Sequence, residues 1–257
     1  MRAYRKADKY RLIISLIMRA VILAGGFAKR MWPYTLNKSK VLLDIAGRPV
    51  IQHIIEKLEA LGPERIYVST NKRFENDFRN WLENTKNNHS IDLVVENSLL
   101  EEQKLGSLGA LKMLIKSRKI KNDLLVIAGD NIFDFDLSAF LPPASKNIQI
   151  GLYNIKQKEK AGRFGVVEID KNRKIISFEE KPKRPKTSLI STGIYFFPKD
   201  HLNRISEYLR EGNNPDAPGY FISWLHKKQD VFGFVFRGKW LDIGSMEAYE
   251  RAKKEFS

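Results

Sequence analysis

Short runs of consecutive apolar residues alternate, through the first half of the chain, with segments whose apolar positions recur every three or four residues. Residues 20–24 (AVILA) carry no polar position and predict a strand buried on both faces, as in a parallel sheet covered by helices. Ile51, Ile54, Ile55, Leu58 and Leu61 make one stripe of a helix that Gly62 and Pro63 stop. Strands are predicted at residues 66–70, 91–95 and 124–128. Between them fall a helix at 74–82, with Phe78 and Trp81 inward, and a loop at 105–111 that enters another helix. This alternation predicts an α/β fold, a doubly wound sheet with right-handed crossovers, whose ligands belong outside the carboxyl ends of its strands. From residue 148 the pattern changes to strands joined by short turns, at 148–155, 165–169, 175–179 and 189–197, and predicts an antiparallel portion joined to the first sheet. A helix at 200–209, a turn-rich stretch at 212–218, a short helix at 221–227, a strand at 231–236 and a final helix carrying Met246, Tyr249, Ala252 and Phe256 complete the reading.

Residues 1–17 are basic and then briefly apolar. The run at 12–17 is too short to span a bilayer and Arg19 interrupts it, so neither a signal peptide nor an anchor is expected. The expected organisation is an N-terminal extension, 1–17, without part in function, and one domain over 18–257. With no cysteine, a thiol nucleophile and a zinc–thiolate site are excluded, and His53, His89, His201 and His226 lack metal-like spacing. Any metal must then sit on oxygen ligands. His53 is read as solvent-facing. The balance of 45 Lys and Arg against 30 Asp and Glu, a net +15, points to anionic partners. Because the basic residues are spread along the chain without interleaved aromatics, nucleotides and sugar phosphates are favoured over nucleic acid.

The candidate chemistry begins where the first strand ends. Gly25 and Gly26 let the backbone turn and let a ligand lie on peptide N–H groups, although a plain strand-to-loop transition would use glycines too. Arg30 and Lys40 add the charge that phosphate needs, and Pro33 with Asn37, Lys38 and Ser39 makes the segment between them a loop. Neither a Walker A loop nor a dinucleotide fingerprint is present. Asp130, at the tip of the 124–128 strand, could hold Mg²⁺ against phosphate oxygens or could cap a turn. Glu179, Glu180 and Lys181 by themselves read as a solvated strand end.

Leu23, Ala24, Gly25, Gly26, Arg30, Met31, Pro33 and Thr35, followed by Lys40 before a strand expected over 41–45, apolar but for Asp44, resemble the signature of the sugar-1-phosphate nucleotidylyltransferases. Ala28 and Lys29 depart from it, standing where that family has Gly-Thr. The resemblance extends in order from about Met18 to Ala252 through Leu105–Leu111, Gly129–Phe133, Phe164–Glu168, Glu179–Pro182 and Ser191–Tyr195. It implies a Rossmann-like doubly wound mixed sheet of the nucleotide-diphospho-sugar transferase type. It also implies Arg30, Lys40 and Lys181 as catalytic cations, and Gly25, Gly26, Gly106, Gly165, Glu180 and Thr192 as substrate-binding. Asp130 and Asp242 are implied as ligands of the cofactor Mg²⁺. Gln103 lies near the position where pyrimidine-selecting members place a glutamine. The implied partners are an NTP and a sugar 1-phosphate, with no nucleic acid and no membrane. The expected location is the cytoplasm, and a homo-oligomer is left open. By resemblance of Gly129–Phe133, dTTP and glucose 1-phosphate are expected, with UTP–glucose-1-phosphate uridylyl transfer and mannose-1-phosphate guanylyl transfer as alternatives. The hexapeptide repeats of members with an acyltransferase module are not expected. A nucleotide-sugar-binding regulatory homologue is the non-enzyme alternative.

Overall fold

A computed structural model describes residues 18–85, 90–142 and 147–256; the extension at 1–17 and His89 lie outside the described residues. The first strand, β1 (Arg19–Leu23), runs parallel between β4 (Arg65–Asn71) and β6 (Leu124–Ala128), and β5 (Ile91–Glu96) pairs parallel with β4. The chain thus winds outward from β1 to β5 and then returns to the other side of β1. The crevice between β1 and β6 is the topological switch point at which such sheets bind ligands. Beyond β6 the sheet turns antiparallel through β11 (Leu189–Phe197), which pairs with β6, β8 (Ile148–Asn154) and β9 (Gly165–Ile169). At the far edges, β10 (Ile175–Glu180) pairs with β9 and β12 (Val231–Val235) with β8, giving nine strands in all among the described residues. The predicted mixed doubly wound sheet is what the chain forms.

Burial on both faces explains the apolar runs. Alternate β1 residues split between two layers. Ala20 and Ile22 pack against α1 (Val50–Leu61) and α2 (Glu75–Glu83), while Val21 faces α3 (Gly106–Ser117), α4 (Asn203–Arg210) and α5 (Pro218–Leu225). Each such Ile or Leu contributes roughly 1.5–3 kcal/mol by leaving water. A third, smaller cluster joins Met31, Ile45, Ile132, Leu241 and Ile243 to α6 (Met246–Glu255). It seats the loop that carries Arg30 and Lys40 on the antiparallel pair of β7 (Asn131–Phe133) and β13 (Trp240–Asp242).

The structure corrects three local expectations. Residues 41–45 are not one strand: Lys40–Leu42 form a 3₁₀ turn and only β2 (Asp44–Ile45) is extended, paired with β3 (Arg48–Pro49). A turn was required because Val41 and Leu42 enter the first layer while the next residue, Leu43, enters the third. Helix α5 begins at Pro218 rather than 221, since proline fits the first helical position, where no amide hydrogen is needed. His53 is half-buried on α1, and its Nε2 donates to the Ile45 carbonyl at 3.0 Å instead of facing solvent.

Candidate active site

The carboxyl ends of β1 and β6 meet closely, since a Cβ on Gly129 would lie 2.9 Å from the Leu23 carbonyl oxygen. From β1 the backbone passes through Gly25, whose carbonyl accepts from Asn71 Nδ2 at 3.0 Å, and then through the exposed Gly26. Ala28 holds a left-handed conformation, φ 49°, at the first departure from the glycine signature. The backbone shape that glycine adopts without cost is kept here with a methyl group. Thr35 is buried and donates its hydroxyl to the Ala28 carbonyl at 2.9 Å, pinning the loop across its base.

Lys40 folds back over that loop, its Cε 3.9 Å from where a Cβ on Gly26 would stand. Its Nζ reaches Asp130 Oδ2 at 2.5 Å. Asp242 arrives from the far end of the chain because β13 pairs with β7 in the register Asp242–Asn131, and the Ile243 amide donates to the Asp130 carbonyl at 2.7 Å. Burial disfavours the charge on Lys40, yet Asp130 and Asp242 overcome it and hold the ammonium above the ordinary lysine range. Burial likewise opposes ionisation of Asp130, and Lys40 overrides it to hold that carboxyl low. Asp242 is pushed up to about 7, first by burial and then by the adjacent Asp130 charge, with Lys40 only partly opposing. One cation therefore neutralises one of two facing carboxylates. Arg30 stands exposed on the 3₁₀ turn Lys29–Met31, close enough for its charge to act on both Lys40 and Asp242.

An adjoining cavity of about 160 Å³ is shared by Asp130, Asp242, Gly165, Glu180, Lys181 and Thr192, so six of the residues singled out from the sequence line one space. A bulge in β11 between Ser191 and Tyr195, centred on Gly193 at φ 77°, turns Thr192 inward, where its hydroxyl donates to the Gly151 carbonyl at 3.0 Å. Gly165 is bare because a Cβ there would strike the Phe178 ring at 2.4 Å. The Glu180 side chain is 9% exposed and its carboxyl is raised by burial, with Lys181, Nζ 3.8 Å away, opposing. Gly106 does not reach this cavity: it opens α3 at φ 73° with its α-carbon against the Pro215 carbonyl, which also accepts the Leu108 amide. The Leu108 amide is thereby engaged within the fold. Gln103 turns its Oε1 to the Leu99 and Leu100 amides, capping its own loop. A larger groove of about 630 Å³ lies apart, between α1 and α2; Lys38, Arg48, Glu56 and Asp77 line it, and none of the site residues singled out from the sequence does.

Asn131 and Tyr195 line the cavity from within marked blocks but without a role assigned from the sequence, and Arg163 and Gly219 line it from outside every marked block. Asn131 is buried with Oδ1 lacking a partner. Its place beside Asp130 was the available signal. Nothing local marked Gly219, whose α-carbon lies against Glu180 across the α5–β10 contact.

A family model described as nucleotidyl transferase matches residues 19–257. The chain belongs to the nucleotidyl transferase family. A bifunctional protein GlmU of Methanococcus aeolicus is 33% identical over 88% of this chain and 51% of its own length. A Campylobacter jejuni D-glycero-alpha-D-manno-heptose 1-phosphate guanylyltransferase is 31% identical over 90% of this chain and 97% of its own. A Sulfolobus acidocaldarius protein described as a mannose-1-phosphate guanyltransferase is 28% identical over 93% and 63%. The chain thus spans about half the length of the GlmU relatives it matches. Among solved nucleotidyl transferases, a Bacillus anthracis protein described as a glucose-1-phosphate thymidylyltransferase, in complex with a sucrose, superposes with TM-score 0.79. It shares 28% identity and is covered over 94% of its chain, against 92% of this one. No helix among the described residues is long and apolar enough to cross a membrane.

Proposed function

We propose that the chain transfers a nucleotidyl group from an NTP to a sugar 1-phosphate, forming an NDP-sugar and releasing pyrophosphate. The observation that carries this reading is the meeting of Lys40, Asp130 and Asp242 at the β1–β6 switch point, directly beside a cavity lined by Glu180 and Lys181. In this reading the triphosphate lies on Gly25 and Gly26 and the sugar phosphate lies in the cavity. An oxygen of the sugar phosphate attacks the α-phosphorus in line. The new P–O bond forms as the bond to the bridging β-phosphate oxygen breaks, and its electrons leave with pyrophosphate. The attacking phosphate is already ionised, so no side-chain nucleophile or base is needed.

The protein's task is then to bring two anions together. Lys40 lies where the transferred group would pass, Lys181 lies at the mouth of the cavity beside Glu180, and Arg30 is free to meet the departing pyrophosphate. One such preorganised charge stabiliser is worth about 10²–10³ in rate. Glu180, buried and aimed into the cavity, accepts from sugar hydroxyls. The donor set also fits a hard divalent cation, since Asp130 and Asp242 face each other with repulsion that Lys40, and more weakly Arg30, offset in part. Asp130 and Asp242 would hold Mg²⁺, which when bound neutralises phosphate charge and polarises the transferred group. Among the described residues no third carboxylate or histidine joins them, consistent with a metal that keeps water and phosphate oxygens as its other ligands.

The thymidine and glucose expectation rests on Gly129–Phe133, of which Asp130 and Asn131 line the sugar cavity. Two relatives named as guanylyl transferases support a guanosine substrate as a second reading. The test is pyrophosphate release across ATP, GTP, CTP, UTP and dTTP against glucose, mannose and N-acetylglucosamine 1-phosphates and a manno-heptose 1-phosphate. Release with at least one pair, absent when either substrate is omitted, is expected. Release from NTP alone, or none with any pair, would overturn the reading.

A further inference from the structure

Glu96 is a buried carboxylate that the reaction above does not use. It ends β5 and is 3% exposed. Val94, two residues before it, belongs to the layer under α3, so Glu96 turns to that same face. The strand register sets Asn71 beside Glu96, and Leu23 beside Ser69, two residues earlier on β4. Gly25, Asn71 and Glu96 therefore form one row across the carboxyl ends of three adjacent parallel strands. The Glu96 side chain reaches across β4, bringing Oε1 to 4.0 Å from where a Cβ on Gly25 would be.

One neutral donor serves this carboxylate, the Ser98 hydroxyl, 2.7 Å from Oε1. Among the described residues no ion pair reaches Glu96, and its other oxygen, without a protein donor, is not wholly shut from solvent. A carboxylate largely withdrawn from water with one hydrogen bond from the protein is costly unless further donors arrive. Asn71 beside it already gives one amide hydrogen to the Gly25 carbonyl, and its Oδ1 accepts from the Phe74 amide. Further donors, from water or from a ligand, have a way in on the side that the partly exposed Gly25 and the exposed Gly26 leave open.

We propose that Glu96 selects the base of the nucleotide, and that the base it selects is guanine. This rests on the reading of the Gly25–Gly26 loop as the NTP site. Negative charge beside that loop repels phosphate, so the Glu96 wall meets the nucleoside rather than the triphosphate. Guanine presents two adjacent donors, N1–H and the N2 amino group, which a carboxylate accepts in parallel. Thymine and uracil present one N3–H between two carbonyl oxygens, and a carboxylate aimed there sets an oxygen against a lone pair. Adenine and cytosine present an amino group beside a ring-nitrogen acceptor, with the same conflict. Sites built on buried hydrogen bonds reject bases lacking the partner groups strongly, because the protein group is left unpaired.

The experiment measures kcat/KM and, separately, calorimetric binding without sugar phosphate, for GTP, ITP, dTTP and UTP with the unmodified protein. ITP lacks only the N2 amino group. The expected order is GTP above ITP by about 10-fold and above dTTP and UTP by ~10² or more. Glu96→Gln, which turns one acceptor into a donor, should cut GTP turnover by ~10² and bring dTTP and UTP level with it or above it. Equal use of ITP and GTP, or a pyrimidine triphosphate preferred by the unmodified protein, would overturn the assignment. The comparison of bases in the unmodified protein decides the matter by itself, so a Glu96→Gln protein that fails to fold does not weaken it. Selective GTP binding without pyrophosphate release would keep the base assignment and overturn the proposed reaction. Binding of no nucleotide would overturn both.

Discussion

Lys40 is the residue on which the site balances, because it is the cation held between Asp130 and the glycine loop. Lys40→Ala leaves two facing carboxylates without their counter-charge and removes a stabiliser of the transferred phosphate. Turnover should fall by ~10² or more with the fold retained, checked by pyrophosphate release beside circular dichroism. Lys40→Arg should rescue only in part, since a planar fork cannot take the place of a compact ammonium packed against Gly26. Asp130→Asn and Asp242→Asn should each raise the Mg²⁺ concentration giving half-maximal rate. The double variant should lose far less than the product of the two single losses, because one site is lost once. Independent losses with an unchanged Mg²⁺ requirement would show that the two do not act together. At this scale the sequence was informative where charge stood in register with glycines, as for Arg30 and Lys40. It gave Asn131 no role of its own and was silent on Glu96, a single polar letter at a strand end that acquires meaning only from burial and neighbours.

At the scale of elements, short contacts decide the site. The β7–β13 pair joins Asp130 to Asp242, and α5 packs its Gly219 so closely on β10 that a Cβ there would lie 1.8 Å from Glu180 Oε2. Gly219→Ala should therefore displace the Glu180 carboxylate. Steady-state kinetics should show KM for the sugar 1-phosphate rising by roughly 10-fold or more, the size of one lost charged hydrogen bond, with KM for NTP little changed. The raised carboxyl of Glu180 gives a linked stability effect. Between the unfolded and folded pKa values the unfolded chain has already released its proton, so stability falls as pH rises through that window and stays reduced above it. Glu180→Gln should accordingly raise Tm at pH 7, and should not raise it below the unfolded pKa. An equal shift at both pH values would reject the electrostatic cause. Strands and helices were legible as elements because their apolar periods are long. The turn at Lys40–Leu42 was not, because consecutive apolar residues entering two different clusters look like a strand in one dimension.

For the whole molecule, the order of strands makes the account coherent. Chain reversal about β1 opens the crevice, the antiparallel strands extend the sheet beside it, and the last strand, β13, closes back upon β7 and Asp130. The alternation of apolar runs foretold the doubly wound half. The pairing of β12 with β8 and of β13 with β7 joins segments far apart in the chain, and no local period could announce it. The central claim is that a nucleotidyl group moves intact from an NTP to a sugar phosphate in this crevice. The most direct test follows label from NTP carrying ³²P at the α-phosphorus, in the presence of Mg²⁺ and a sugar 1-phosphate that supports turnover. The account predicts all transferred label in NDP-sugar, none in pyrophosphate, and one pyrophosphate released per NDP-sugar formed. Label recovered as free NMP or NDP, or pyrophosphate released without a labelled sugar nucleotide, would contradict it.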